Sequence, residues 1–370
     1  MHLSRQRTNT PSSRTIIFLC TEINTFPNAC IEGLLNLSTH ESYQIYIYSW
    51  GVTSKKRIKP LISAQNENTF CFSIDNMSSL DILSATRKAN PSIIVCSGWQ
   101  EKKFLLACSY FKIFRGIPVV AAIDDKFTLT PIQMIKSVFR FIVSRLCYTN
   151  AWISGFPQYA FAVSCGFADK NITVGSLTGC QIHIDSHLFE SDCNVAKRKY
   201  FLYIGNLRKI KGTDILFQAY KKYRRVADDP WDLVMIGNAV DIDPSRLSFP
   251  GITLLGYIEN SKLLPHIASS SACLLPSRSD QWGIALHEYT QVGKPVIASL
   301  GCGSRHQFLI NNYNGFTFNP DDTHDLSEKM LLMSTLSEEA RLLMEERSFR
   351  LSQCMSSDIS AYSLLSIMES

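Results

Sequence analysis

Several features are missing from this 370-residue sequence. No apolar stretch reaches the roughly 18 uncharged residues that a membrane-spanning helix needs. The richest, residues 131–147, is interrupted by Lys136, Arg140 and Arg145. The 12 cysteines are scattered singly without C-x-x-C spacing, so we expect reduced thiols, mostly buried, rather than a disulfide scaffold. Residues 1–14 lack the apolar segment of a signal peptide, and we expect a flexible N-terminus and a cytosolic protein.

A glycine-rich phosphate loop is also missing from the first half. A dinucleotide-binding turn needs G-x-G-x-x-G directly after the first strand. The segment 21–30 that follows the first predicted strand has no glycine, and the next glycine is Gly33. A Walker lysine loop is absent as well, and Gly301-Cys302-Gly303 alone is weak evidence for any function. These absences argue against a nicotinamide-dependent dehydrogenase.

The positive charge of the chain lies entirely in its first half. Residues 1–195 carry 18 basic and 13 acidic side chains, whereas residues 196–370 carry 19 of each, for a total of +5. No arginine-rich helix, zinc-finger spacing or RNP-like strand accompanies the excess, so nucleic acid is not an expected partner. A surface facing anionic lipid or a phosphorylated acceptor fits the same charge.

Strand-like and helix-like segments alternate along both halves. The predicted strands are 15–20, 43–50, 92–96, 118–123, 151–154, 200–204, 231–236, 252–255, 272–275 and 295–299. The predicted helices are 29–38, 79–89, 100–114, 131–146, 214–226, 261–268 and 284–292, with a helical region from Leu326 onward. This alternation indicates parallel sheets covered by helices on both faces.

The pattern restarts after a polar, charged stretch at residues 191–199, which we interpret as a linker. We therefore expect two α/β domains, residues 15–190 and 200–350. Residues 351–370 would form a C-terminal helix, with packing against the first domain as one option. A binding cleft is expected between the domains, where such sheets present their strand ends.

The second half carries the strongest motifs. The segment 204–214, IGNLRKIKGTD, follows a strand and opens a helix. It places Lys211 and the amides around Gly212 near a helix N-terminus, where an anion is favoured. Two acids then stand eight residues apart, Asp280 before a helix and Glu288 within it. A loop acid and a helix acid at this spacing can face one ligand from two sides.

With these residues the second half resembles the retaining, nucleotide-sugar-dependent family 4 glycosyltransferases of the GT-B fold. The shared landmarks are Gly205, Lys211-Gly212, Ile236-Gly237, Leu255-Gly256, Pro276-Ser277, the two acids with Gly283 between them, Gly293-x-Pro295 and Asn314-Gly315-Phe316. The resemblance implies two Rossmann-like α/β domains facing across a cleft, with a helical C-terminal tail.

The first half resembles the family at fewer positions. Ser97-Gly98-Trp99 and Gly116-Ile117-Pro118 resemble a branch whose members build polysaccharides, and Ile184-Asp185 with Phe189 resembles the entry to the second domain. The acceptor is therefore expected to be a carbohydrate or a lipid-linked oligosaccharide.

The resemblance also implies a role for each matched residue. It assigns Lys211 to the donor diphosphate, Glu288 to the ribose hydroxyls and Asp280 to the donor sugar, and it makes Lys211 and Asp280 catalytic. The implied donor-binding residues are Gly205, Asn206, Arg208, Lys211, Gly237, Asp280, Gln281, Trp282, Gly283, Ile284 and Glu288. A cation near a leaving diphosphate stabilises charge that develops in the transition state. The ordinary alternatives are a helix-start lysine and solvated acids.

The sequence departs from the family pattern in three places. Asn206 stands where arginine is usual, so Arg208 either supplies the missing phosphate cation or points to solvent. Asp280 replaces a glutamate and is one methylene shorter, so its sugar contact is altered or made through water. The glycine-rich loop that many members have after the first strand is absent.

Two groups of acids and histidines have competing interpretations. Asp124 and Asp125 end a strand of the first domain, where they could position or deprotonate an acceptor hydroxyl or form a polar loop. His183, Asp185 and His187 alternate as zinc ligands or a strand edge would, but no fourth ligand is near.

The pair Asp241 and Asp243 has the letters of the Asp-x-Asp metal motif but follows a turn, which we interpret as solvated. We expect no metal and no cofactor besides the donor.

The segment from Pro131 to Tyr148 combines apolar and basic residues at helical spacing. The apolar positions are Ile132, Ile135, Phe139, Ile142 and Val143, and the basic ones are Lys136, Arg140 and Arg145. A core-facing helix is the first interpretation. The alternative is a helix on anionic lipid that brings the site to a lipid-linked acceptor.

These observations predict a retaining, metal-independent glycosyltransferase of polysaccharide assembly that uses a nucleotide-sugar donor. It would be cytosolic, with peripheral attachment to the inner face of the plasma membrane left open. Two alternatives remain: a nucleotide-sugar epimerase of the GT-B fold, and a non-catalytic sugar-nucleotide-binding subunit, which Asn206 and Asp280 make plausible.

Overall fold

The computed structural model describes residues 14–21, 25–37, 43–50, 67–127, 130–178 and 198–369. They form two compact units. One contains the described residues up to Thr178 together with those from Ser357 on, and the other contains residues 198–356. The expected flexible N-terminus lies outside the described residues except for Arg14, and so does the expected linker except for Arg198 and Lys199.

The elements are numbered in chain order. The strands are β1 Arg14–Leu19, β2 Tyr43–Ser49, β3 Thr69–Ser73, β4 Ile93–Cys96, β5 Val119–Ile123, β6 Asn150–Ile153, β7 Ile172–Val174, β8 Tyr200–Ile204, β9 Asp232–Ile236, β10 Ile252–Gly256, β11 Ala272–Leu275, β12 Val296–Ser299 and β13 Gly315–Phe318. The helices are α1 Thr25–Leu37, α2 Ser79–Ala89, α3 Lys102–Tyr110, α4 Pro131–Cys147, α5 Phe156–Ser164, α6 Thr213–Val226, α7 Leu264–Ser269, α8 Ile284–Gln291, α9 Arg305–Phe308, α10 Thr323–Thr335, α11 Glu338–Ser352 and α12 Ser357–Glu369.

The first unit is built on a seven-stranded parallel sheet with the order β3-β2-β1-β4-β5-β6-β7. Side chains alternate between its faces. Ile16 and Phe18 of β1 pack on one face with Leu364 of α12, whereas Ile17 and Leu19 pack on the other. Both faces are covered, which explains why the central strands are continuous apolar runs.

The last helix belongs to the first unit. It packs against α1, and the Trp152 indole N–H of β6 donates a 2.8 Å hydrogen bond to the Ser363 hydroxyl of α12. It begins at Ser357 rather than near residue 351 because α11 continues to Ser352 and is part of the second unit.

The second unit has a six-stranded parallel sheet with the order β10-β9-β8-β11-β12-β13. Aromatic residues of α6, such as Tyr220 and Tyr223, are buried against Phe201 of β8 and Leu233 of β9. The strand order reverses between β8 and β11, which is where ligands bind in open α/β sheets. The predicted fold class, two Rossmann-like α/β domains with a C-terminal helix, is confirmed by this architecture.

The expectation that the apolar residues of the segment 131–148 face the core is wrong for most of them. The segment forms α4, but Ile135, Phe139 and Ile142 are exposed. Of the apolar residues named for this helix whose side chains are described, only Val143 is buried. The Ile132 side chain lies outside the described residues. Apolar residues occupy more than one face of this helix, so periodicity did not show which face is inward.

Ten cysteines are free in the described part of the chain, and eight of these are buried. This agrees with the expected role of the thiols as small apolar residues. Among the described residues, none of the helices combines the length and apolar character needed to cross a bilayer.

Candidate active site

The candidate residues of the second unit lie in the loops that follow β8 and β11. Residues 205–212 lead from β8 through a short 3-10 turn, Lys209–Lys211, into α6. Residues 276–283 lead from β11 into α8. Since β8 and β11 are neighbours in a parallel sheet, both loops leave the same edge at the point of strand-order reversal.

The two loops touch through a glycine. Gly212 has φ +69°, and a Cβ on it would lie 1.9 Å from the carbonyl oxygen of Pro276. Both the left-handed backbone and the absent side chain are therefore required. A second close approach joins neighbouring loops, because a Cβ on Gly237 would lie 1.9 Å from the carbonyl oxygen of Gly205.

This loop contact brings Lys211 and Asp280 together. The Lys211 Nζ donates a 2.7 Å hydrogen bond to Oδ2 of Asp280, which also accepts one from the Ser277 hydroxyl at 3.2 Å. The Asp280 side chain is only 12% exposed and that of Lys211 is 34% exposed. A charge-assisted contact of this length fixes both side chains at the edge of the sheet.

The loop after β8 is held in place by Asp241, a side chain of the loop that follows β9. Asp241 accepts the backbone N–H of Lys209 at 2.8 Å, and its second oxygen lies 3.8 Å from the Arg208 Nε. Asp241 and Asp243 lie in an exposed turn, as expected, and the Asp243 carboxylate accepts the N–H of Ser245. The Arg208–Asp241 pair is a surface contact, which stabilises folding by at most about 1 kcal/mol.

Arg278 holds the loops of this region together, a role that the sequence did not reveal. Its guanidinium binds both carboxylate oxygens of Asp214, at 2.7 and 2.9 Å, and its Nε lies 2.5 Å from Asp321. It also donates to the carbonyl of Lys209. The hydrogen bond to Asp214 is the main reason that the pKa of Arg278 is raised. The arginine thus joins the loop after β11 to the first turn of α6.

The position of Arg278 between two matched motifs was a signal that could have pointed to it. Arg278 stands directly after Pro276-Ser277 and two residues before Asp280. Its role depends on acids 64 and 43 residues away in the chain. No local pattern identifies such partners.

Glu288 lies on α8, close to the end of β8. The neighbouring residue on α8, Tyr289, accepts the backbone N–H of Ile204 at 2.9 Å and so ties the helix to β8. Glu288 is half-buried, and burial raises the pKa of its carboxyl from 4.5 to about 7. No described residue forms an ion pair or side-chain hydrogen bond with its carboxylate. Such an acid can accept hydrogen bonds from a ligand.

The raised pKa makes stability pH-dependent. The folded chain holds the Glu288 proton more tightly than the unfolded chain, so its stability falls as pH rises from 4.5 to about 7. We expect Glu288→Gln to raise the free energy of unfolding at pH 8 by about 2–3 kcal/mol and to change it little below pH 4.5. Urea denaturation at both pH values measures this.

Glu339→Gln serves as the control because Glu339 is exposed in the first turn of α11. It should change the free energy of unfolding by less than about 1 kcal/mol at either pH. A Glu288→Gln protein that is no more stable than wild type at pH 8 would contradict a raised pKa of the half-buried Glu288 carboxyl.

The remaining predicted donor residues surround this pair of loops. Asn206 is exposed, and its carbonyl accepts the hydroxyl of Tyr203 at 2.9 Å. Gln281 and Ile284 are half-buried on either side of Trp282 and Gly283. The Trp282 side chain is 3% exposed and packs against Phe308. The Trp282 side chain is therefore not exposed to a ligand.

His287 belongs to the core of the second unit. Its ring stacks on Phe308 with 4.2 Å between centroids, and its Nε2 lies 3.1 Å from the carbonyl of Ser352. Burial lowers the pKa of His287 to about 4, so the ring is neutral near pH 7. It positions α8 against α9 and α11.

Asp124 lies in the first unit, at the end of β5. It is exposed, and its carbonyl accepts the side-chain amide of Gln158 at 3.1 Å. Asp125 lies 3.9 Å from Arg140 of α4. The candidates His183, Asp185 and His187 lie outside the described residues. Within the part of the chain that the structure covers, no three His, Cys, Asp or Glu side chains cluster as metal ligands would.

Comparison with known proteins finds matches for the half of the chain that contains Lys211, Asp280 and Glu288. Residues 189–348 match the model of the family described as Glycosyl transferases group 1. A 41.2 kDa protein of the cps region of Klebsiella pneumoniae, itself uncharacterized, is 26% identical over 183 residues, which are 48% of this chain and 49% of that protein. An uncharacterized glycosyltransferase of Methanocaldococcus jannaschii is 27% identical over 143 residues, 37% of this chain and 39% of the relative. The chain thus matches about half or less of the length of these curated relatives.

Solved structures match over nearly the whole chain. HepE of Anabaena, in a crystal structure with UDP, has a TM-score of 0.73 and 13% identity and covers 96% of this chain and 99% of its own. A glycosyltransferase of Rickettsia africae has a TM-score of 0.74 and 14% identity, with 97% and 98% coverage. The architecture is therefore that of the GT-B glycosyltransferases. The match to the glycosyl transferases group 1 model covers less than half of the chain.

Proposed function

We propose that this protein transfers a sugar from a nucleotide-diphosphate donor to a carbohydrate or lipid-linked oligosaccharide acceptor, with retention of configuration and without a metal. The contact between Lys211 and Asp280 carries the proposal. Lys211, which we assign to the diphosphate, lies 2.7 Å from Asp280, which we assign to the donor sugar, in loops at the reversal point of the sheet. UDP and UDP-glucose in crystals of HepE, and the cps region of the Klebsiella relative, support a nucleotide-sugar donor and a polysaccharide acceptor.

The proposed reaction breaks the bond between the anomeric carbon and the diphosphate oxygen and forms a bond from that carbon to the acceptor oxygen. The acceptor attacks the face that the diphosphate leaves, and its proton passes to the leaving oxygen. Negative charge grows on the diphosphate as the bond breaks. Lys211 and the N-terminus of α6 stabilise that charge more than the ground state, which lowers the barrier.

The other residues have roles that follow from their positions in this proposal. Asp280 holds the donor sugar, assisted by the backbone of residues 281–284. Glu288, which has no described side-chain partner, accepts the two ribose hydroxyls. Arg208 exchanges its surface contact with Asp241 for a donor phosphate. Asp124 positions an acceptor hydroxyl from the first unit.

The role of Glu288 predicts a ligand-specific loss of binding. In calorimetric titrations at pH 8, uridine, guanosine or adenosine diphosphate should bind, and Glu288→Ala should weaken the best of them about tenfold, or ~1.4 kcal/mol. The matching 2′,3′-dideoxynucleoside diphosphate, which lacks both hydroxyls, should bind wild type and variant with equal affinity. Equal losses for both ligands would show that Glu288 does not contact the ribose. No binding of any nucleoside diphosphate would reject the proposed function.

The two alternatives are separated by product analysis. A nucleotide-sugar epimerase would convert the donor in the absence of an acceptor, and a non-catalytic subunit would bind it without turnover. For a retaining transferase, nuclear magnetic resonance of the product should show the anomeric configuration of the donor.

A further inference from the structure

Helix α4 presents an apolar face to solvent. Its exposed apolar residues are Met134, Ile135, Val138, Phe139, Phe141, Ile142 and Leu146. Ile135 is 74% exposed and Phe139 is 55% exposed. The opposite side of α4 makes the core contact through Val143, Ser144 and Cys147. A helix that is apolar on its inner and outer sides is ordinarily covered on both, and nothing among the described residues covers the outer one.

The apolar surface extends to a neighbouring turn. A π-helical turn, Phe111–Arg115, exposes Ile113 and Phe114. Lys112 fastens this turn to the end of α4, because its Nζ donates to the carbonyls of Arg145 and Tyr148, each at 2.6 Å. We call the exposed apolar residues of α4, together with Ile113 and Phe114, the α4 face.

The charged residues on α4 and on the turn Phe111–Arg115 are all basic, and the nearest ion pair of α4 is that of Arg140 with Asp125. No aspartate or glutamate occurs between Asp125 and Asp169, or between Glu101 and Asp124. Arg115, Lys136 and Arg145 are exposed. A second copy of the chain would bring the same cations against one another, whereas an anionic bilayer complements them and receives the apolar side chains.

We propose that the α4 face docks on the surface of a bilayer that contains anionic lipid, with the helix lying in the interfacial plane. The apolar side chains enter the boundary between headgroups and acyl chains, and the cations bind lipid phosphates. The proposal rests on the surface of the first unit alone, so it stands or falls independently of the donor chemistry of the second.

Vesicle co-sedimentation tests the proposal. The full chain is mixed with phosphatidylcholine vesicles, or with vesicles in which about a third of the lipid is phosphatidylglycerol. We expect clear binding to the anionic vesicles, weak binding to the neutral ones, and release as salt is raised. The double variant Ile135→Asp/Phe139→Asp should lower the partition coefficient at least about tenfold, because two apolar side chains no longer enter the bilayer.

Two further variants make the test specific. Leu342→Asp/Leu343→Asp on α11 replaces two exposed apolar residues of the second unit and should leave vesicle binding unchanged. Lys136→Gln/Arg145→Gln should weaken binding to anionic vesicles about tenfold, with little effect on neutral ones. Thermal melts should be the same for all variants, since every replaced side chain is exposed.

Two outcomes would overturn the proposal. One is equal recovery with neutral and anionic vesicles. The other is a stable dimer in light scattering that Ile135→Asp/Phe139→Asp converts to monomer without any change in vesicle binding. That result would assign the α4 face to a second copy of the chain.

Discussion

Lys211→Ala is expected to lower the turnover of the donor about 100-fold. Removing one preorganised donor from a developing charge typically raises a barrier by roughly 3 kcal/mol, which corresponds to this factor. The charge on the diphosphate grows in the transition state, so the turnover number should fall more than the affinity for the nucleoside diphosphate. Release of nucleoside diphosphate from the best donor, measured with purified protein, gives the turnover number.

Lys209→Ala is the matched control. Lys209 lies two residues earlier in the same 3-10 turn and is exposed, and its contacts with Asp241 and Arg278 are made by its backbone. Its replacement should leave turnover within about twofold, because a solvated side chain contributes little. Equal losses in Lys209→Ala and Lys211→Ala would mean that the loop binds the donor by overall charge only.

A double variant separates catalysis from neutralisation of Asp280. If Lys211 served only to pair the mostly buried Asp280, Lys211→Ala would cause no further loss of turnover in an Asp280→Asn background. We expect a further loss, because the lost cation acts on the diphosphate. Equal turnover of Asp280→Asn and Lys211→Ala/Asp280→Asn would contradict the proposed role of the lysine.

Gly212→Ala is expected to lower the free energy of unfolding of the second unit by at least about 3 kcal/mol. The left-handed backbone strains a residue with a Cβ by about 1–2 kcal/mol, and the collision with the Pro276 carbonyl adds the cost of moving one loop off the other. Urea denaturation followed by circular dichroism measures the loss.

Gly256→Ala isolates the collision. Gly256 has φ +68°, nearly the same as Gly212, but a Cβ there would meet no atom within 4 Å. Its replacement should cost about 1–2 kcal/mol from backbone strain alone. If the two variants are equally destabilised, the backbone contact between the loops does not hold Lys211 beside Asp280.

The central strands could be predicted because each is a buried apolar run between turns. The edge strands β3, β7 and β13 were not predicted, because each contains threonine and only two or three apolar residues. Helix α4 was located correctly, but its buried side was not, since apolar residues occur on both sides. The direction in which a helix faces depends on what packs against it.

The residues of the candidate site also divide into those that the sequence could predict and those that it could not. Lys211, Gly212, Asp280 and Glu288 were predicted from motif resemblance, because their spacing to strands and helices is local. Arg278 was not found, since its partners come from other loops. Local spacing places a residue on an element, but only the packed chain brings distant carboxylates to one guanidinium.

The order of apolar runs, turns and glycines along this chain was enough to determine two parallel α/β domains and the loop that carries Lys211. The tertiary structure alone decided that Gly212 lies against Pro276, that Asp280 is the partner of Lys211, and that α4 turns apolar side chains to solvent. The physical reason is the distance along the chain over which each effect acts. Backbone preferences and side-chain periodicity act over a few residues, whereas contact, burial and charge pairing depend on atoms that meet only after the sheets have formed.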